Sequence, residues 1–211
     1  MKVVGVGCGP GMATEEAITI IKSARQVYGS RQAVERVRSY IQKDASICYS
    51  YEKKILAELP DDAVVLSTGD PLMAGLGTLP SATVTPGISS MQLACARLNL
   101  SWDLLCIVNA HSTDHYLAIE RACRAISDGY VVFLIADPAF NIQALARALV
   151  HTELGKHLCI AVCEDLGYPH ERIACGTAYD PPHVMSSLFC VLVWEKEKEI
   201  KGAEEISSST R

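Results

Sequence analysis

The sequence begins with a short apolar run that leads directly into a glycine-rich turn and then into a segment of helical periodicity. Residues 5–11 (GVGCGPG) follow the first run, and apolar side chains recur three and four positions apart over residues 14–24. The same strand–turn–helix order returns further along the chain, which is typical of α/β proteins with largely parallel sheets. In such sheets ligands bind beyond the carboxyl ends of the strands, so the loops at those ends are the candidate functional segments.

The predicted elements alternate along the whole chain. The predicted strands cover residues 2–7, 63–67, 82–85, 104–108, 130–135, 157–163 and 188–194. The predicted helices cover residues 14–24, 31–41, 87–98, 114–126 and 141–151. Hairpin signals at residues 167–169 (GYP) and 180–182 (DPP) indicate that the later sheet is mixed.

The change in pattern near residues 100–112 predicts two domains. We expect an N-terminal α/β domain with the glycine-rich loops over residues 1–108 and a C-terminal α/β domain with a mixed sheet over residues 109–195. Residues 196–211 are rich in charge and lack apolar periodicity, so we expect them to form a disordered tail.

Composition excludes several classes of protein. Apolar residues make up 49% and charged residues 20% of the chain, as in ordinary globular proteins. The net charge of −5 argues against general binding to nucleic acid or to an anionic membrane. The chain contains no apolar run long enough to span a bilayer, and its first residues enter a strand with no room for a signal peptide. We therefore expect a cytoplasmic protein.

The nine cysteines read as reduced structural thiols. Most of them, such as Cys106, Cys159 and Cys190, lie inside apolar runs, where cysteine behaves as a small buried hydrophobe. The sequence has no Cys-x-x-Cys pair, and its histidines show no metal-ligand spacing, so no metal site is predicted.

The first glycine-rich loop is not a typical dinucleotide-binding turn. The Gly-x-Gly-x-x-Gly pattern meets Pro10 in one register and Met12 in the other. The second strand region ends at residues 27–31 (VYGSR), and no acid is placed there to hold a ribose. Glu15 and Glu16 would stand in the first helical turn, where they would repel a phosphate. The absence of Gly-Lys-Ser/Thr also excludes a Walker loop. A tight turn without any ligand stays open as an interpretation of this loop alone.

Two further small-residue loops follow predicted strands. Residues 68–75 (TGDPLMAG) follow the strand at 63–67, and residues 85–90 (TPGISS) follow the strand at 82–85. We expect the three loops to line one crevice. Asp70 is the one acid among them, and it suits either ribose hydroxyls and a cationic ligand or an Asx turn. Ser89 and Ser90 are equally suited to cap the following helix.

Taken in order, the motifs at residues 7–11 (GCGPG), 69–71 (GDP) and 85–90 (TPGISS) resemble the tetrapyrrole methylases. The resemblance implies the two-domain α/β fold of that family, with open sheets that carry helices on both faces. It also implies that S-adenosyl-L-methionine binds in the interdomain cleft, that S-adenosyl-L-homocysteine is the product, and that the protein is a homodimer.

Within the family, residues 86–98 (PGISSMQLACARL), Trp102-Asp103 and residues 28–31 (YGSR) are most similar to the branch that methylates C5 of cobalt-precorrin-7 in cobalamin biosynthesis. Two departures accompany this likeness. Only Met12 and Ala13 separate the first loop from Thr14, where the family usually has several more residues. Residues 109–113 (NAHST) stand where this branch often has His-Gly-Arg.

The resemblance implies specific contacts for the cofactor and the corrinoid. The implied cofactor contacts are Gly9, Pro10, Asp70, Met73, Gly87, Ser89 and Ser90 in the first domain and Ala136 and Leu166 in the second. The implied substrate contacts are Gly11, Arg31 and His111, because the acetate and propionate groups of a corrinoid call for cationic partners. Arg31 also reads as a solvated surface residue, and His111 as an interdomain hydrogen-bond donor.

The implied reaction is an in-line displacement at the sulfonium methyl by an electron-rich ring carbon, which needs no strongly shifted general base. No catalytic side chain is therefore assigned. The implied partners are a corrinoid and, transiently, neighbouring enzymes of the pathway.

Three other functions stay open at this point. Diphthine synthase, which belongs to the same family, would act on a translation factor. A nicotinamide-dependent oxidoreductase would use the first loop, and a non-catalytic ligand-binding module would use the same crevice without a reaction.

Overall fold

The computed structural model describes residues 1–49, 56, 59–73, 76–79, 82–111 and 113–196. The predicted disordered tail, residues 196–211, lies outside the described residues except for Lys196. By its internal contacts the chain divides into two units, Met1–Ser90 and Met91–Arg211. The division falls before the predicted boundary at residue 108, because residues 105–108 form part of a strand that belongs to the second sheet.

The first unit is built on a parallel sheet. Its strands are β1 (Lys2–Gly5), β2 (Gln26–Tyr28), β3 (Ser46–Cys48), β4 (Val64–Ser67) and β5 (Thr83–Thr85). Its described residues include the helices α1 (Glu15–Ser23) and α2 (Arg31–Arg36). The hydroxyls of Thr14 and Ser30 cap the two helices by accepting from the backbone N–H groups of Ala17 and Ala33.

Strand order brings the glycine-rich loops together. The order in the sheet is β3-β2-β4-β1-β5, with β1 paired in parallel with both β4 and β5. The loops that follow these three neighbouring strands therefore leave the sheet at the same edge. A dinucleotide-binding sheet of the Rossmann type places its first strand beside its second instead, so this order departs from that fold.

Alternate residues of the strands bury apolar side chains on both faces of the first sheet. Val4 and Leu66 pack on the face that α1 and α2 cover, together with Ile21. Val3 and Val65 point to the opposite face. Both faces are thus buried, as parallel sheets require.

The second unit has a mixed sheet. Its strands are β6 (Leu105–Ala110), β7 (Val131–Ala136), β8 (Leu158–Glu164), β9 (Arg172–Thr177) and β10 (Phe189–Glu195), in the order β6-β7-β10-β8-β9. The helices are α4 (His115–Ser127) and α5 (Ile142–Val150), preceded by α3 (Ser90–Leu98). β6 and β7 are parallel, whereas β10 runs antiparallel to both β7 and β8. The carboxyl ends of β6, β7 and β8 consequently share one edge.

The apolar faces of α4 and α5 cover one side of this second sheet. Val132, Leu134 and Val191 form the strand side of that core. On the opposite side, Cys163 of β8 lies near Cys95 of α3, and burial together with this neighbouring thiol raises the pKa of Cys95 to about 11. All nine cysteines are free thiols. A thiol with so high a pKa is unreactive at neutral pH.

Several predicted elements differ in extent from those observed. The helix predicted over residues 31–41 ends at Arg36 and continues as a 3-10 turn, Arg38–Tyr40, because Val37 leaves the helical conformation. The helix predicted from residue 87 begins at Ser90. The short strand β3 and the largely exposed strand β9 had no clear apolar alternation and were not predicted. None of the described helices is long and apolar enough to cross a membrane.

The loops at the edge of the first sheet approach one another at backbone distance. A Cβ atom added to Gly5 would lie 2.6 Å from the Gly87 nitrogen and 2.8 Å from the Gly69 carbonyl oxygen. A Cβ atom on Gly87 would likewise collide with the Gly69 carbonyl oxygen. Only glycine therefore fits at these two positions.

We expect the Gly5→Ala variant to unfold at a clearly lower temperature and urea concentration than the parent chain. The new methyl group meets backbone atoms that cannot rotate away, so the cost is about 1–3 kcal/mol or more, as for other overpacked sites. Gly11→Ala is the matched control. Gly11 has a φ of +73° but no atom within 4 Å of an added Cβ, so only backbone strain of about 1 kcal/mol applies. Equal losses in the two variants would contradict the close approach.

Candidate functional site

Hydrogen bonds join the first and second glycine loops. The Gly69 N–H donates to the Gly7 carbonyl at 2.8 Å, and the two residues form an isolated antiparallel bridge beyond the ends of β1 and β4. Both glycines have positive φ, +81° and +68°, a conformation that favours residues without a Cβ. The two loops therefore form one continuous backbone surface.

Asp70 ties the second loop to the third. Its Oδ2 accepts from the Gly87 N–H at 3.1 Å, and its Oδ1 accepts from the Leu72 N–H at 2.8 Å. The second bond is an Asx turn, one of the two roles that the sequence suggested for Asp70. The first bond is a cross-loop contact that no local spacing indicates. Each carboxylate oxygen keeps a further lone pair for another donor.

The other first-unit residues implied by the resemblance lie on these same loops. Gly9 is buried, whereas Pro10 and Gly11 are exposed. Ser89 is only 3% exposed and directly precedes Ser90, which opens α3. Met73 donates its backbone N–H to the Asp70 carbonyl at 3.1 Å.

Two arginines follow β2 near this edge. Arg31 is the first residue of α2, is exposed, and lies over the ring of Tyr49, with its guanidinium carbon 5.3 Å from the ring centroid. Arg36, which the sequence did not single out, donates from Nη1 to the Gly7 carbonyl at 2.5 Å. Its role depends on a contact between residues far apart in the chain, so no motif could have indicated it.

The charges of the three loops suit a cationic ligand. Their described residues, 7–13, 68–73 and 85–90, contain no Lys or Arg, and Asp70 is their one acid. α1 opens with Glu15 and Glu16 directly after the first loop. Apart from the Arg36 guanidinium on the Gly7 carbonyl, the loops therefore offer backbone carbonyls and the Asp70 carboxylate, which favour a positively charged ligand over a phosphate.

In the second unit, the carboxyl ends of β6, β7 and β8 collect the remaining predicted residues. Ala110 pairs with Ala136, the last residue of β7, and His111 follows Ala110 directly. His111 is exposed, and its backbone N–H donates to Asn109 Oδ1 at 2.8 Å. Leu166 is 4% exposed and lies two residues beyond the end of β8.

A buried carboxylate ends β8. Glu164 is 1% exposed and accepts hydrogen bonds from Arg172 Nη1 and from the backbone N–H groups of Met185 and Ser186. Burial by itself would raise the pKa of Glu164, but these donors outweigh it and lower the pKa below its ordinary value. Glu164 is therefore ionised and fully engaged at neutral pH.

A second carboxylate, Glu171, closes the turn after β8. It accepts from Arg97 Nε at 2.7 Å and from the Gly167 N–H at 2.7 Å. Burial would raise the pKa of Glu171, yet the Arg97 guanidinium and the Gly167 N–H together lower it. The sequence did not single out Glu164 as a buried acid or Glu171 at all, because their partners lie at unrelated distances along the chain.

A histidine–aspartate pair lies beside Ala136. His115 Nε2, at the start of α4, lies 3.1 Å from Asp137 Oδ2, and the His115 ring meets the Phe140 ring edge-on at 5.3 Å. Asp137 Oδ1 accepts from the Ala139 N–H at 2.9 Å. Across the described part of the chain, no group of three ligating side chains is close enough to hold a metal ion.

Comparison with known proteins places these loops in a family. A family model for tetrapyrrole (corrin/porphyrin) methylases matches residues 2–182. The chain is 27% identical over 216 residues to a protein of Methanocaldococcus jannaschii described as a probable cobalt-precorrin-7 C(5)-methyltransferase, covering 92% of this chain and 98% of that one.

Solved structures agree with the sequence comparison. The cobalamin biosynthesis precorrin-6Y methylase from Archaeoglobus fulgidus is 26% identical and has a TM-score of 0.71, covering 92% of this chain and 97% of that one. A uroporphyrin-III C-methyl transferase from Thermus thermophilus, complexed with S-adenosylhomocysteine, shares the fold at 19% identity, with a TM-score of 0.68 and 90% of each chain covered. With its three converging loops and this likeness over nearly its whole length, the chain belongs to the tetrapyrrole (corrin/porphyrin) methylase family of methyltransferases.

Proposed function

We propose that this protein transfers a methyl group from S-adenosyl-L-methionine to C5 of a cobalt-precorrin-7-type corrinoid in cobalamin biosynthesis. The observation that carries the proposal is the meeting of three backbone loops around Asp70 at one edge of the first sheet, with no Lys or Arg among the described residues of the loops themselves. The likeness to a probable cobalt-precorrin-7 C(5)-methyltransferase over 92% of the chain supports the choice of acceptor.

The cofactor contacts follow from the loops. We assign Gly9, Pro10, Asp70, Met73, Gly87, Ser89 and Ser90 to the cofactor in the first unit, and Ala136 and Leu166 in the second. The structure of a family member with S-adenosylhomocysteine supports this class of cofactor. A carboxylate oxygen can accept more than one hydrogen bond, so Asp70 suits ribose hydroxyls in addition to its contacts with the loops.

The side chains of this site orient the reactants and need not take a large share in proton transfer. The bound cofactor supplies an activated methyl group on a sulfonium. Loop carbonyls and the Asp70 carboxylate would stabilise that positive charge, and the rigid glycine backbone would hold the cofactor in a fixed orientation towards the acceptor. Methyl transfer removes the charge, so the site is expected to hold the cofactor more by its nucleoside than by the sulfonium.

The corrinoid is an anion that an acidic protein must hold with local cations. We assign Gly11, Arg31 and His111 to its recognition. Arg31 is exposed, and its guanidinium lies over the Tyr49 ring, a cation–π contact that holds the side chain while leaving N–H donors for a carboxylate. A cytoplasmic location, a homodimer and transient contact with neighbouring pathway enzymes are further parts of this proposal, on the family resemblance alone.

Isothermal titration calorimetry tests the cofactor class. We expect S-adenosylhomocysteine to bind with a Kd in the micromolar range or below, and NAD to give no heat of binding. The Asp70→Ala variant should raise the Kd by about tenfold or more, because it removes a charged acceptor and frees the third loop. The Asp70→Asn variant keeps one acceptor oxygen, so its Kd should lie between those of the parent chain and the Asp70→Ala variant. NAD binding in place of S-adenosylhomocysteine would refute the cofactor assignment, and an unchanged Kd for Asp70→Ala would remove Asp70 from the site.

The acceptor is tested by mass spectrometry. Incubation with S-adenosylmethionine and cobalt-precorrin-7 should add one methyl group to the corrinoid, with the new carbon bonded at C5. A translation factor carrying a diphthamide precursor serves as the alternative acceptor. Methylation of that protein, with none of the corrinoid, would favour the diphthine synthase function instead.

Substitution of Arg31 separates acceptor binding from cofactor binding. We expect Arg31→Gln to raise the KM for the corrinoid about fivefold or more, through loss of a charged hydrogen-bond donor, and to leave the Kd for S-adenosylhomocysteine unchanged. Arg121→Gln, on the exposed surface of α4, removes the same charge and is the control. A corrinoid KM that stays at the parent value in both variants would show that Arg31 is a solvated surface residue without a role in corrinoid binding.

A further inference from the structure

The turn that carries Leu166 has an unusual backbone. Asp165 and Gly167, on either side of Leu166, both have positive φ, +49° and +81°. Asp165 is one of two described non-glycine residues in this conformation, which aspartate tolerates better than most L-residues but which still costs energy. A non-glycine residue persists there only where its surroundings hold it, and such positions are concentrated at functional sites.

Glu164 holds the N-terminal side of this turn. Its carboxylate accepts from the backbone N–H groups of Met185 and Ser186 and from Arg172. One residue later, the Asp165 N–H donates to the Leu188 carbonyl at 2.9 Å. The segment before β10 is thereby fastened to the last residue of β8 and to the first residue of the turn.

Glu171 holds the C-terminal side of the same turn. Its Oε2 accepts from the Gly167 N–H, the residue directly after Leu166, at 2.7 Å. Its Oε1 accepts from Arg97 Nε at 2.7 Å, which fixes the carboxylate from α3. The Glu171 N–H also donates to the Tyr168 carbonyl at 3.0 Å, so the whole turn is closed by short-range bonds.

The ionised carboxylates of Glu164 and Glu171 thus hold the backbone on the two sides of Leu166. Their partners Arg97 and Arg172 are 45% and 44% exposed, and ion pairs with so exposed a partner add little to stability. Apolar side chains would cover the end of β8 at lower cost, but they could not accept the N–H groups of residues 167, 185 and 186. The arrangement therefore serves to define the path of the backbone at Leu166 more than to stabilise the fold.

We infer that Glu164 and Glu171 are positioning residues that hold the Leu166 turn in the conformation that contacts the cofactor. This inference rests on the proposed function, in which Leu166 is a cofactor contact of the second unit. Neither carboxylate needs to touch the cofactor. Each acts through backbone N–H groups next to the contact, Glu171 directly at Gly167 and Glu164 through the segment before β10.

Glu171 is the residue to test, because its side chain is 19% exposed whereas that of Glu164 is 1% exposed, so water can reach the groups that its removal would leave without a partner. We expect Glu171→Ala to raise the Kd for S-adenosylhomocysteine about tenfold, since a charged acceptor for the Gly167 N–H is lost. The KM for S-adenosylmethionine should rise with it, while the KM for the corrinoid stays unchanged. Glu171→Gln keeps an acceptor oxygen and should restore the Kd to within about threefold of the parent value.

Glu120→Ala is the matched control, because Glu120 forms an ion pair with Arg124 at 2.9 Å on the exposed face of α4. It removes the same charge and should leave the Kd unchanged. A parental Kd in Glu171→Ala, or an equal rise in Glu120→Ala, would overturn the inference while leaving the proposed function in place. If the parent protein itself fails to bind S-adenosylhomocysteine, the proposed function falls, and the inference falls with it.

Discussion

The structure of the first unit depends on the close backbone approach of three loops at one edge of its sheet. The Gly69 carbonyl lies against Gly5 and Gly87, at positions where any side chain would collide with main-chain atoms. Asp70 then fastens the third loop to the second through the Gly87 N–H. Because β4, β1 and β5 are neighbours, these contacts form without long excursions of the chain. A surface of main-chain groups results, with its shape set by glycine.

The two units use carboxylates in different ways. In the first, Asp70 is partly accessible and faces an edge without Lys or Arg in its described loops, so its charge is available to a cationic ligand. In the second, Glu164 and Glu171 are paired with arginines and also accept from backbone N–H groups, two for Glu164 and one for Glu171. The first arrangement suits recognition, whereas the second suits the definition of a backbone path. Both lie at the carboxyl ends of strands, where α/β sheets place their ligands.

Local pattern predicted most of the helices and strands, and the motifs of the three loops carried the resemblance to the family. The apolar runs that became β1, β4, β7, β8 and β10 are short, continuous and bounded by turn residues, which is the pattern of buried strands. The prediction failed where local preference is weak, at the edge strands β3 and β9 and at the C-terminal half of the helix predicted over residues 31–41. β3 is only three residues long and β9 is largely exposed, so neither sequence has the apolar alternation that makes a strand recognisable, whereas the edge strands β5 and β6 were predicted.

The order of the motifs along the chain was enough to determine the α/β class, the three glycine loops and the resemblance to the methylases. Those features depend on residues close together in sequence, whose turn and capping chemistry is local. The tertiary structure decided which groups are hydrogen-bonded to each other: Arg36 to Gly7, Asp70 to Gly87, and Glu171 to both Arg97 and Gly167. Such hydrogen bonds join residues at unrelated separations, and no periodicity in the sequence encodes them. They exist only once the strand order has brought the loops to a common edge.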